Sequence, residues 1–352
     1  MEIAKQILKS GSNQMQSSLQ VQTKWRLRYP LRKVMHLGVL LSFGLGTAFS
    51  NSLYAQSAGL RNSVPSGQGY SSKIGREASV KTAAPQHPVK ITMQHWKPIF
   101  EGIEEARGTV EGKYHSVMYV MRVDLHAHGI SVVGTPHAGS KATISETVSK
   151  FAREQHVQVA INGSFFFPCC ASVSEAKGVA GLMITDGQVI APPSSKAAAR
   201  GVDTALLITR KNKAHIERVT PDTDIDTDDF YTAITGVGLV ADGEVVNSLP
   251  MFPANGANPR TAVGLSSNNR FLYLVAIDGR RTGYSMGTTL KETAEVMLAL
   301  GARNAVNFDG GGSTTMVMQN AAGKIVEVNR PSGKQERYDA NALGIHALPL
   351  KH

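Results

Sequence analysis

The chain has 352 residues, 42% hydrophobic and 6% aromatic, enough to bury the core of one large domain or two small ones. Its formal net charge is +10, but residues 1–55 carry seven Lys or Arg and one acidic residue, so the rest of the chain holds only +4. So mild an excess, with no basic helix and no aromatic–basic pattern, argues against nucleic acid as a partner.

Residues 1–55 have the pattern of a targeting segment. A basic cluster over 24–33 precedes an apolar run over 34–49, which has the length of a signal-peptide core and is short for a membrane span. Ala55 offers a small residue for cleavage, whereas Leu53 fits poorly where a second small residue is expected. We therefore predict export to the periplasm or the extracellular space. The segment is either a cleaved signal peptide or an uncleaved anchor that attaches the protein to the membrane.

Residues 56–87 are rich in Ser, Gly, Ala and Lys and lack apolar periodicity, so they predict a flexible linker. The composition changes near Val89, and we predict one folded domain over 88–352.

Strand signals dominate this domain. Residues 117–125 alternate with the period of two expected of a strand. Apolar runs flank Asp186-Gly187 and Asp242-Gly243, and both sites predict hairpins on Asp-Gly turns. Further strands are predicted over 206–208, near 216 and over 271–277.

Two helices are predicted from capping boxes, in which a Thr accepts from a backbone amide and a Glu three residues later bonds back. Thr143 and Glu146 predict the start of a helix that ends near Gln155, and Thr289 and Glu292 predict the start of the second.

Each predicted helix stands between two predicted strands, and the two segments read as copies of one strand–helix–strand unit. The first unit ends its strands at Asp124 and Asn162, and the second ends them at Asp278 and Asp309. Two such units would bring Asn162 and Asp309 together across a pseudo-twofold interface. The predicted fold class is α+β, with mixed, largely antiparallel sheets and a few flanking helices.

The chain has two cysteines, Cys169 and Cys170, which are adjacent. They form either a vicinal disulfide or two free thiols packed as small apolar residues, and the sequence leaves both open. A zinc site is not predicted, because there is no further cysteine and no nearby histidine with ligand spacing. No metal and no cofactor are predicted.

The most informative run is Asn307–Met316, in which an aspartate, three glycines and three hydroxyl residues follow an apolar stretch. Consecutive glycines allow close backbone approach to a ligand, and their amides can form an anion-binding concavity. Gly310, Gly311 and Gly312, together with Ser313 and Thr314, are therefore candidate substrate-binding residues that contact an anion.

Four motifs resemble, in their order along the chain, those of the phosphodiester glycosidases. The family includes the uncovering enzyme of mammals and bacterial relatives labelled exopolysaccharide biosynthesis proteins. The motifs lie at 160–166, 259–264, 278–280 and 307–316, and the resemblance spans roughly Tyr114 to Ile345. It implies cleavage of a sugar C1–O bond to a phosphodiester. At Cys169-Cys170 many relatives have other residues in the specificity loop.

For that reaction the departing phosphate needs charge stabilisation, and Arg260 is the candidate clamp because its planar fork of donors is always charged. Its neighbours place it at a strand start, although a surface ion pair would also account for it. Arg280 either assists the phosphate or pairs with Asp278.

Asp309 is the first candidate for base or nucleophile, and the glycine amides around it are expected to lower its pKa. The alternative is a brace for the loop. Asp278, which ends a predicted strand, is the candidate partner carboxylate, with an Asx-turn as its alternative.

Asn162 is a candidate to bind a sugar hydroxyl or acetamide, and the alternative is a turn with Gly163. Gly163 and Thr261 are further substrate-binding candidates through their places in the motifs. Ser313 is not favoured as an acyl-type nucleophile, since no nucleophile elbow is present.

Together these features predict an exported hydrolase that cleaves a glycosyl-1-phosphodiester in an envelope or extracellular polysaccharide, its expected partner. The alternatives are a non-catalytic glycan-binding or assembly protein and a phosphodiesterase that cuts the P–O bond.

Overall fold

The computed structural model of the chain describes residues 89–170, 172–247, 256–333 and 335–351. The predicted targeting segment and the predicted linker over 56–87 lie outside these ranges. Within the described ranges, none of the helices has the length and apolar character needed to cross a membrane.

The described part of the chain is built mainly from short strands. In chain order they are β1 Lys90–Met93, β2 Lys97–Phe100, β3 Ile103–Glu111, β4 His115–Asp124, β5 Ser131–Gly134, β6 Thr143–Ile144, β7 Val159–Asn162, β8 Phe166–Phe167, β9 Ala176–Val179, β10 Met183–Thr185, β11 Gln188–Ala191, β12 Val202–Ile208, β13 Ala214–Arg218, β14 Thr232–Ala241, β15 Glu244–Val245, β16 Arg260–Ser266, β17 Phe271–Ile277, β18 Ala302–Asn307, β19 Met316–Gln319, β20 Ile325–Glu327 and β21 Ala342–His346. The helices are α1 Val148–Glu154, α2 Ser195–Ala198 and α3 Leu290–Ala299, with 3₁₀ turns at Thr227–Asp229 and Gly311–Ser313.

The strands form one large sheet, one of five strands and one of three. The large sheet has the order β1-β3-β4-β17-β16-β18-β14-β10-β11, with β2, β12, β13 and β15 paired beside this path. The five-stranded sheet has the order β20-β19-β7-β21-β5. The strand pairings within the described residues are antiparallel, which confirms the predicted class of largely antiparallel sheets with few helices.

The described part of the chain is layered as helix, sheet, sheet, helix. Val306 of the large sheet and Ile161 of the five-stranded sheet belong to one apolar cluster, which fills the space between the sheets. Val296 of α3 belongs to a second cluster on the opposite face of the large sheet. Phe151 of α1 packs with Ala160 on the outer face of the five-stranded sheet. Alternating strand residues thus serve two different cores.

Both predicted hairpins are confirmed. Asp186 and Gly187 connect β10 to β11, and Asp242 and Gly243 connect β14 to β15. All four turn residues have positive φ, as a two-residue turn matching the strand twist requires.

One helix start is confirmed and the other is wrong. Thr289 and Glu292 make both bonds of the capping box at the start of α3. The first helix begins later than predicted, because Thr147 caps α1 by accepting from the Lys150 amide at 3.1 Å. Thr143 lies in β6, and the Glu146 backbone is bridged to Asp339, so this segment is extended.

The structure does not confirm the predicted repeat of two strand–helix–strand units. β4 and β7 belong to different sheets, whereas β17 and β18 share the large sheet with β16 between them. The contact that the repeat was used to predict is nevertheless present, since the Asn162 side-chain amide donates to the Asp309 carbonyl at 2.7 Å.

Candidate active site

A cavity of about 970 Å³ opens on the α3 side of the large sheet. Among the described residues that line it, one is acidic, Asp309, and five are basic. The basic residues are Lys196, Arg200, Arg260, Arg280 and Arg337. Such a lining favours an anionic ligand held beside a single carboxylate.

One row of cross-strand neighbours forms part of the cavity floor. Val202 pairs with Val237, Val237 pairs with Asn307, and Asn307 pairs with Ala262. Arg260 lies two residues before Ala262, and Asp309 two residues after Asn307. Because side chains alternate along a strand, Arg260 points to the face of this row, and Asp309, just beyond the end of β18, lines the same cavity. The ends of β16 and β18 thus bring the basic and acidic groups together.

The triple glycine is needed because guanidinium groups lie where a side chain would begin. A Cβ on Gly311, which has φ +62°, would meet Arg280 Nη2 at 2.9 Å, and a Cβ on Gly312 would overlap the Arg337 guanidinium. A Cβ on Gly310 would meet the Pro259 carbonyl oxygen at 2.7 Å. The loop therefore packs directly against two arginines that line the cavity.

Asp309 is held by short contacts within this loop. Ser313 Oγ donates to Asp309 Oδ2 at 2.8 Å and accepts from Arg337 Nη1 at 3.1 Å, while the Asp309 amide donates to the Gly163 carbonyl at 2.9 Å. Burial raises the pKa of Asp309 to about 6, although Ser313, Arg337 and the Gly310 amide favour the ionised form. The predicted lowering of this pKa is therefore wrong, because desolvation outweighs the amides.

Asp339 is a second carboxyl group next to Asp309, and sequence reasoning missed it. It is 4% exposed, and neither carboxyl oxygen accepts a hydrogen bond from the described residues. Burial, together with the negative charge of Asp309, raises the pKa of Asp339 well above its usual range. Both effects disfavour the charged form of Asp339 beside an ionised Asp309, as expected of two carboxyl groups in one site.

Arg260 lies almost fully buried at the cavity wall. Its Nε donates to the Thr288 carbonyl at 2.8 Å and its Nη2 to the Gly256 carbonyl at 3.1 Å. Burial and the positive Arg280 nearby lower the pKa of Arg260 to about 10, so it stays charged at neutral pH. Arg280 bonds the Asn258 side-chain oxygen through Nε and Nη2, at 3.1 and 2.9 Å. It faces the cavity and does not pair with Asp278.

Asp278 is not among the residues that line the cavity. Its carboxylate accepts from Asn329 at 3.0 Å, from Tyr284 at 2.9 Å and from the Arg330 amide at 3.0 Å. Asn329 in turn donates to the Thr314 carbonyl at 3.1 Å. These contacts give Asp278 the role of a brace behind the glycine loop.

Asn162 and Thr261 also hold the loop from behind. The Asn162 side-chain oxygen accepts from Thr261 Oγ1 at 2.7 Å and from the Thr315 amide at 3.2 Å. Gly163 is pressed against Asn341, whose carbonyl accepts the Gly163 amide at 2.9 Å. Asn162, Gly163, Thr261, Ser313 and Thr314 are not among the residues lining the cavity.

An aromatic loop, residues 165–170, forms another part of the wall. It carries Phe167, which is 57% exposed, and Cys169 and Cys170, which form a disulfide. The buried Lys177 holds this loop, since its Nζ donates to the Pro168 carbonyl and to Glu175 Oε1, each at 2.7 Å. The disulfide alternative is thus the one present.

Arg337 and Asp339 belong to no motif that the sequence offered. One signal could have identified Asp339. Asp309 follows β18 and Arg260 begins β16, and Asp339 likewise precedes the buried strand β21. A search for charged residues at the ends of buried strands would have included Asp339.

The fold is shared with two solved structures. It matches the catalytic domain of zebrafish N-acetylglucosamine-1-phosphodiester α-N-acetylglucosaminidase, described as auto-inhibited by its pro-peptide, with TM-score 0.52 and 20% identity over 74% of this chain and 88% of that one. It also matches a putative exported protein from Burkholderia pseudomallei, with TM-score 0.52 and 14% identity over 74% of this chain and 97% of that one.

At these identities the likeness shows the fold alone. No curated protein matches the chain by sequence. A sequence profile of the phosphodiester glycosidases matches residues 155–346, which include the glycine loop, Arg260, Arg337 and Asp339. With more than half of its length matched, the chain belongs to the phosphodiester glycosidase family.

Proposed function

We propose that this protein is an exported glycosidase that hydrolyses the sugar C1–O bond of a glycosyl-1-phosphodiester in an envelope or extracellular polysaccharide. An N-acetylglucosamine-1-phosphate diester is the first substrate to test. The observation that carries the proposal is the pairing of one desolvated carboxylate, Asp309, with Arg260, Arg280 and Arg337 around one cavity.

The arginines stabilise the leaving group. When the C1–O bond breaks, the bridging oxygen stays with phosphorus, and the phosphate gains negative charge. Arg260 and Arg280 supply positive charge that is fixed in position before the reaction, which is the most effective form of electrostatic stabilisation. Because phosphate leaves readily, the reaction has little need of a strong general acid.

Asp309 acts at the sugar carbon. It either takes a proton from the water that attacks C1 or attacks C1 itself, and the anomer first released distinguishes the two roles. Either role needs the ionised carboxylate, which a pKa of about 6 supplies at neutral pH. With Asp339 protonated next to it, the site would carry one negative charge rather than two that repel each other.

The decisive experiment uses residues 56–352 with N-acetylglucosamine-1-phosphate methyl diester in heavy-oxygen water. Label in the sugar supports C–O cleavage, whereas label in the phosphate means the P–O bond is cut. Asp309→Asn should reduce turnover roughly a hundredfold or more, the scale of acid–base groups. Binding of the diester without turnover by the wild type, across a panel of sugars, would favour the non-catalytic glycan-binding alternative.

Export rests on the N-terminal pattern and has its own test. N-terminal sequencing of the exported protein should find a start near Gln56 if the apolar run over 34–49 is a cleaved signal. A start near Met1 in the membrane fraction would instead support an uncleaved anchor.

A further inference from the structure

Two basic residues of the cavity take no part in the reaction described so far. Lys196 and Arg200 line the cavity on and just after α2, and both are exposed. Neither side chain makes a hydrogen bond or an ion pair with any described residue. Two like charges beside one cavity, without a carboxylate between them, repel each other unless an anion binds there.

The fold holds this pair in a defined place. Ser194 caps α2 by accepting from the Ala197 amide, and Ala197 packs in the cluster that contains Val202 and Val237. Because Ala197 faces this core, Lys196 and Arg200 are left on the open side.

The pair is far from Arg260. The row Val202–Val237–Asn307–Ala262 crosses three interstrand spacings, roughly 14 Å, between the strand that follows α2 and the strand that carries Arg260. The two phosphates of a pyrophosphate lie much closer together than these two strands. A ligand with its charges on either side of a spacer the size of a sugar fits this separation better.

We propose that Lys196 and Arg200 form a second anion subsite, which binds a further phosphate or carboxylate of an anionic glycan, separated by a sugar from the scissile phosphodiester at Arg260. This inference rests on the proposed function and makes it more specific. The substrate is then a polymer with repeated negative charges rather than a small diester or a sugar nucleotide.

The test compares three synthetic N-acetylglucosamine-1-phosphodiesters. The first has one neutral sugar on the leaving side, the second the same sugar with a phosphate monoester on a hydroxyl away from the scissile bond, and the third a directly attached second phosphate. The wild type should show a KM for the second substrate roughly tenfold lower than for the first, as expected of two partly exposed charges. Its KM for the third should show no such gain.

The double variant Lys196→Ala/Arg200→Ala should bring the KM ratio of the first two substrates close to one. Lys211→Ala/Lys213→Ala is the matched control, because it removes two exposed lysines at the β12–β13 turn, which does not line the cavity. The control should keep the wild-type ratio. If the preference for the second substrate were lost equally in both double variants, it would come from the overall positive charge of the protein, and the local subsite would be overturned.

Two other results would also overturn it: a wild type that shows no preference for the second substrate, and one that shows the full preference for the third. Dissociation constants for the same compounds keep the two proposals separate. A preserved difference in Kd without turnover would contradict the proposed reaction alone, whereas turnover without any preference would contradict the second subsite alone.

Discussion

Burial raises the pKa of both Asp309 and Asp339, and a further cause acts on Asp339. Burial alone outweighs the donors around Asp309, whereas Asp339 also experiences the charge of Asp309. We therefore expect Asp309 to lose its proton first, after which its charge disfavours ionisation of Asp339.

The pH–rate profile should report this order. Because the reaction needs ionised Asp309, kcat/KM should fall as the pH drops below about 6. In Asp339→Asn the acid limb should remain, since burial sets it. Initial rates between about pH 4 and about pH 8 test this, and a limb that vanishes in Asp339→Asn would assign the titration to Asp339.

Arg260→Lys tests the phosphate clamp at the level of one side chain. Lysine keeps the charge but lacks the planar guanidinium that bonds the Thr288 and Gly256 carbonyls and thereby fixes the position of the charge. We expect kcat/KM to fall about tenfold or more, a loss of roughly 1.4 kcal/mol or above.

Arg270→Lys is the matched control, because Arg270 forms a two-pronged pair with Asp124 outside the cavity lining. It should leave kcat/KM unchanged. If both variants retain wild-type kinetics, Arg260 has no role in binding the leaving group.

Among the structural elements, the aromatic loop over 165–170 is held in place by Lys177, which lies outside the loop. Lys177 is 1% exposed, and its bond to the Pro168 carbonyl fixes the loop beside the cavity. Lys177→Met should therefore raise KM severalfold with a smaller change in kcat, because Lys177 positions the wall and does not reach the reacting atoms.

Glu175→Gln separates this effect from loss of the ion pair. It removes the charge that pairs with Lys177 but keeps the bond to Pro168, so KM should stay near the wild-type value. Steady-state kinetics with the diester measure both variants. A KM that rises equally in both would assign the effect to the ion pair.

At the same scale, local signals predicted α3 but not the start of α1. Both Thr–Glu pairs have the spacing of a capping box, yet Glu146 is held extended by backbone bonds to Asp339, 193 positions later in the chain. The Glu146 carboxylate pairs with Lys150, and the Ser149 backbone amide donates instead to the Glu336 carboxylate at 2.8 Å. A long-range pairing thus overrode a local pattern, and no short window of sequence contains it.

At the scale of the whole molecule, the site is assembled where the two sheets meet. Asn162 ends a strand of one sheet and Asp309 follows a strand of the other, and β21 brings Asn341 against Gly163. The sequence predicted Asp309 and the glycine loop, because successive glycines at the end of a buried strand indicate close backbone approach. Arg337 could not be predicted, since it gains its role only from the packing of the sheets. The one local signal for Asp339 is its position just before a buried strand.

The last prediction concerns the stability of the whole domain. The pKa of Asp309 rises on folding from about 3.8 to about 6, so the folded state binds this proton more tightly than the unfolded state does. The resulting stability is present below about pH 3.8 and is lost as the pH rises through about 6. Asparagine does not ionise, so Asp309→Asn does not lose this stability as the pH rises. The resulting change in its free energy of unfolding relative to the wild type is at most roughly 3 kcal/mol.

Asp309→Asn should therefore gain stability relative to the wild type between about pH 4 and about pH 7.5, even though its turnover collapses. Asp124→Asn is the control of opposite sign, because Arg270 lowers the pKa of Asp124, so its removal should cost more at the higher pH. Urea unfolding of the three proteins at both pH values measures this. If Asp309→Asn instead became less stable than the wild type at the higher pH, the charged Asp309 carboxylate would stabilise the loop. Asp309 would then be a structural brace and not a carboxylate whose burial destabilises the fold and serves the reaction.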